Sequence, residues 1–89
     1  MINEIANYVL DLQKGLSETR HAEDRSIYQH YLAEAAVMLA KAVKETDIEE
    51  MSKLVQTHER LWGHTWLQDE VFKNASKSFG IVKLKLNHK

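Results

Sequence analysis

Apolar residues at the start of the chain fall at Ile2, Ile5, Val9, Leu12 and Leu16, with Asn3, Glu4, Asn7, Asp11 and Lys14 between them. Steps of three and four residues place side chains on one stripe of a helix. The pattern predicts a first helix over 2–14, closed by Gly15, with Ser17 or Thr19 available to cap the next helix. A second helix is predicted over 19–45 from Tyr28, Leu32, Ala35, Leu39 and Ala42, the stripe widened by Ile27, Tyr31, Ala36, Met38 and Val43. Five alanines between Ala33 and Ala42 favour the helix and leave room for another helix to come close. At that length it would run about 40 Å, too long for a compact ball of this size unless partners pack along it.

Thr46 with Glu49, or Asp47 with Glu50, makes a helix-start signature before Ile48, Met51, Val55, His58 and Trp62. The third helix is therefore expected over 47–62, with Gly63 as its stop. Thr65 and Gln68 repeat the signature, and Leu67, Val71, Phe72, Ala75 and Phe79 predict a fourth, shorter helix over 66–79, ended by Gly80. Acids in its first turn (Asp69, Glu70) and lysines later (Lys73, Lys77) match the helix dipole. Beyond it, Ile81–Leu86 alternates apolar and basic residues and reads as extended. The expected architecture is all-α: a single helical domain over 1–80, an up-and-down bundle of three to four helices, then a basic C-terminal tail over 81–89. Because the second helix exceeds what a thin monomeric core covers, a homodimer centred on its Ala-rich face is expected.

Composition narrows the chemistry. Eighty-nine residues make one domain, and the absence of proline permits uninterrupted helices. The absence of cysteine excludes disulfides, thiolate metal sites and cysteine nucleophiles. The net charge of −1 gives no global field for nucleic acid or an anionic membrane. Yet residues 1–50 hold five basic and ten acidic residues, and 51–89 hold seven basic and three acidic. The longest apolar run, Ala35–Ala40, is far below a membrane span, so no membrane partner is expected. Asn3, Glu4 and Asn7 stand where a secretion signal would carry basic and then apolar residues, which points to the cytoplasm.

Motifs for catalysis are missing. The three glycines are isolated, and no serine sits in a nucleophile elbow, so neither a phosphate loop nor an acyl-transfer site is expected. The paired acids Glu23–Asp24, Glu49–Glu50 and Asp69–Glu70 all fall at predicted helix starts, where acids are favoured anyway. His30, Glu34, His58 and His64 are the residues from which a metal-dependent helical enzyme would be built, but their spacing fits no zinc motif. Lys73, Lys77, Lys83 and Lys85 are candidate phosphate contacts for a small nucleic-acid-associated regulator, although acids at the starts of the third and fourth helices oppose groove insertion.

The aromatic residues weigh more. Trp62 is expected in the core. Trp66, placed between two helices among polar neighbours, is the candidate anchor for a partner, with Tyr28, Tyr31 and His30 extending that surface. The expected function is a non-catalytic protein-protein interaction module, an adaptor, regulator or inhibitor, working without a cofactor. Nucleic-acid regulation is the first alternative and metal-dependent catalysis the second.

Overall fold

A computed structural model describes residues 1–64 and 69–87, and all four of its elements are helices: α1 Ile2–Glu18, α2 Ala22–Val43, α3 Ile48–His64 and α4 Glu70–Asn87. The described residues contain no strand, so the chain is all-α. α1 packs most extensively, against α2 on one side and α4 on the other, and α3 closes the ring by touching both α2 and α4. The body measures 38 × 20 × 19 Å. At 22 residues α2 is about 33 Å long, so it fits inside that length. The expectation that it overhangs a single chain is therefore corrected.

The core is one cluster. Ile5, Tyr8 and Leu12 come from α1, Tyr28, Tyr31, Ala35 and Met38 from α2, Met51 and Val55 from α3, and Phe72, Ala75, Phe79, Val82 and Leu86 from α4. The last two correct the expected extended tail. Phe79, Val82 and Leu86 step by three and four, so α4 carries the bundle's apolar stripe through to Asn87, and it is not the shortest helix.

The three glycines expected to end helices lie inside them, and none has a positive φ. Gly15 is buried because the Tyr28 ring lies against it, where a Cβ would overlap the ring. The C-terminal end of α1 is instead closed from α2, where the Arg25 guanidinium donates to the Leu16 carbonyl at 2.8 Å and more weakly to that of Thr19 at 3.4 Å. Between α2 and α3, Glu45 takes the left-handed conformation at φ 57°. Its N–H donates to the Ala42 carbonyl and that of Thr46 to the Lys41 carbonyl, both at 3.1 Å, the double closure typical of a glycine-ended helix. The cap of α3 is Asp47, whose side chain accepts from the Glu50 N–H at 3.0 Å. Asp69 does the same for α4, accepting from the Phe72 N–H at 2.7 Å, while the expected Thr65–Gln68 cap lies outside the described residues.

Candidate functional site

α1 and α3 do not abut along the described backbone, yet their side chains meet through the centre of the bundle. Trp62 Nε1 donates to the Tyr8 hydroxyl oxygen at 3.0 Å. That hydroxyl lies 2.6 Å from His58 Nε2, and His58 Nδ1 lies 2.9 Å from Glu34 Oε1. An ionised carboxylate only accepts, so Nδ1 carries the imidazole hydrogen. Nε2 then accepts from Tyr8, whose oxygen accepts from Trp62. Every proton in the chain Trp62–Tyr8–His58–Glu34 thus has one consistent place, with the imidazole neutral.

The surroundings support that assignment. The His58 ring is 1% exposed and meets the rings of Tyr8, Tyr31 and Phe79 in T-shaped contacts at 5.5, 5.6 and 5.3 Å. Burial lowers the His58 pKa from its ordinary value, against the pull of the Glu34 carboxylate. Burial likewise raises the Tyr8 phenol far above the ordinary tyrosine range. A carboxylate, an imidazole and a hydroxyl in series are also the parts of a hydrolase triad. Here the hydroxyl is fully buried and held protonated, so no substrate atom reaches it while the bundle is closed.

Glu34 brings this chain to the surface. Its side chain is 35% exposed, and Oε2 lies 3.7 Å from Nε2 of the exposed His30. It borders a groove of about 520 Å³ between α2 and α3, floored by Ala33, Val37, Met38 and Leu54. His30 lines it on α2, and Thr57, Glu50 and Lys53 line it on α3. The volume is in the range of pockets that take ligands.

The residues expected at a partner surface are dispersed. Tyr28 and Tyr31 are 0% and 1% exposed, so the surface expected around them is core: Tyr28 is needed against Gly15, and Tyr31 against Trp62 and His58. The Tyr28 hydroxyl donates to Asp69 at 3.0 Å, and burial followed by that carboxylate raises its pKa. His30 is exposed on α2, and Trp66 lies outside the described residues. Trp62 joins the core, its ring 4.5 Å from that of Phe72.

The candidate metal residues are only partly assembled. Glu34 does stand between His30 and His58, but both His58 nitrogens are engaged, and His64 ends α3 on the surface. Among the described residues no group of three histidines or acids is placed to hold a metal ion. Lys73, Lys77, Lys83 and Lys85 all lie on ordered α4. Lys83 pairs with Glu59 at 2.8 Å, and Lys73 approaches Glu70 at 4.0 Å.

A comparison of the chain with protein-family models, with curated proteins and with solved structures gave no match. Tyr8 is the site residue the sequence pattern misses, because Val9 fits the same three-and-four spacing. Ile5, Tyr8 and Leu12 step by three and four equally well and give the signal.

Proposed function

We propose that this chain is a non-catalytic protein-interaction module that regulates or neutralises a partner protein and self-associates as a homodimer with the Ala33–Ala42 stretch of α2 at its centre. The observation that carries this reading is the outward face of α2. Its inner face is spent on the core, yet Ala33, Ala36, Val37 and Ala40 keep surface outside it, and Val43 is 60% exposed beside them. A contiguous apolar face on an already closed bundle marks an interaction surface, and alanine lets a second helix approach. In this reading the helices run up and down, supported by connections of only three and four residues at 19–21 and 44–47. The module works in the cytoplasm, in keeping with a chain that has no cysteine. No helix among the described residues is long and apolar enough to cross a membrane.

Sedimentation tests the reading. The wild type should show concentration-dependent association in the micromolar range, and Ala40→Arg should weaken it at unchanged melting temperature. A clean 10.3 kDa species at every concentration would overturn it.

A further inference from the structure

The α2–α3 groove and the outer strip of α4 are complementary in length, polarity and charge. Along α2 the groove spans His30 to Met38, a rise of eight steps or about 12 Å. Its floor is apolar, and two carboxylates border it, Glu34 at 35% exposure midway along the α2 side and Glu50 at 50% on α3. On α4, Lys77, Ile81, Leu84 and Lys85 span the same rise of eight steps. Ile81 and Leu84 are 54% and 58% exposed, large for apolar side chains on a finished bundle. Lys77 and Lys85 flank them and make no ion pair among the described residues, whereas Lys83 turns away to Glu59.

We infer that the groove takes the α4 strip of a second copy of this chain. Ile81 and Leu84 of the second copy fill the apolar floor as anchors one helical turn apart, the usual mode of a helix in a groove. Lys77 of the second copy meets Glu34, and its Lys85 meets Glu50, which already shares Lys41 at 3.3 Å. Lys53, the cation that lines the groove with Glu50, then faces the carbonyl end of the incoming helix, where a positive charge is favoured. Groove and strip are different surfaces, so a single contact is head-to-tail, and two copies that exchange strips reciprocally make it twice and close into the two-fold homodimer proposed above. This inference rests on the self-association proposed above and names the element that meets α2.

Two blocked variants and their mixture decide it. Thr57→Arg fills the groove from exposed α3, and Leu84→Glu spoils the strip at an exposed site, so both keep the wild-type helix signal in circular dichroism. Each alone should associate at least about tenfold more weakly than wild type by sedimentation. A one-to-one mixture retains one intact groove and one intact strip. It should therefore recover association, with native mass spectrometry showing one copy of each variant per pair. If both variants associate like wild type while Ala40→Arg does not, the head-to-tail contact is wrong and self-association through α2 stands. Failure of the mixture to recover also overturns the contact. A wild type that stays monomeric overturns both readings.

Discussion

The Tyr8 hydroxyl sits 2.6 Å from His58 Nε2 and links two helices whose backbones do not otherwise touch along the described residues. The contact works only while the imidazole is neutral. A proton added at Nε2 would take the lone pair that accepts from Tyr8 and leave the buried phenol hydrogen without its acceptor.

Acid should therefore destabilise the bundle through His58. Its folded pKa is depressed by burial, so below the ordinary imidazole value the unfolded chain binds more protons than the folded one. The contribution is fully present above about pH 6.5 and is lost as pH falls from there toward the folded pKa, at no more than about 1.4 kcal/mol per pH unit. The groups facing His58 are Tyr8 on α1 and Glu34, Tyr31 and His30 on α2, with the Phe79 ring on α4. Urea unfolding at pH 7 and pH 5 should show the drop in wild type, and His58→Gln should flatten it. An equal drop in the variant would remove His58 as the cause.

Gly15→Ala should lower stability by about 1–3 kcal/mol, although alanine is the better helix former. The new methyl overlaps a Tyr28 ring that cannot retreat, held between Phe72 and its hydrogen bond to Asp69. Gly80→Ala meets open space in mid-helix and should raise stability by about 0.5–1 kcal/mol. Thermal melts of the two variants should move in opposite directions.

At the end of α2, Glu45 occupies a left-handed position where a side chain is unfavourable. Glu45→Gly relieves that cost while leaving both closing hydrogen bonds in place. Chemical denaturation should show a net gain of about 0.5–1 kcal/mol, the left-handed cost less the freedom glycine adds to the unfolded chain; a loss would mean that the Glu45 side chain contributes something the backbone geometry does not reveal.

The two tryptophans should separate cleanly. Trp62→Ala removes a ring packed on Phe72 and the donor to Tyr8, at a cost of about 3–5 kcal/mol in stability. Trp66→Ala should instead weaken self-association or partner binding by about 2 kcal/mol or more while costing less stability. Parallel melting and sedimentation check this, and equal destabilisation by both changes would make Trp66 ordinary core.

How far the chain was legible depended on whether a residue's role is local. The four helices follow from spacing because burial on one face imposes it. The start of α3 followed too, with Asp47 accepting from the Glu50 N–H, but the C-terminal ends did not: Gly15 is demanded by Tyr28, and α1 is closed by Arg25 from the next helix. Ile81–Leu86 reads as alternating over six residues, but with Phe79 included, Phe79, Val82 and Leu86 give a helical stripe. The site was the least legible part. Glu34 and His58 lie 24 residues apart and Tyr8 and His58 lie 50 apart, separations that no motif spacing encodes.

The ring of helices is closed by its first and last members, with α1 packed most extensively against α4 and the Ser78 hydroxyl donating to the Asp11 carboxylate 67 positions earlier. On a ribosome the chain emerges in the opposite order of need. The α1 surface formed by Ile5, Tyr8 and Leu12 is made well before the α4 residues that cover it. At about 5–20 residues per second, that apolar surface stays partly uncovered for several seconds. Nascent chains should therefore remain open to chaperones and proteases until α4 clears the exit tunnel, when the molecule closes in one late step.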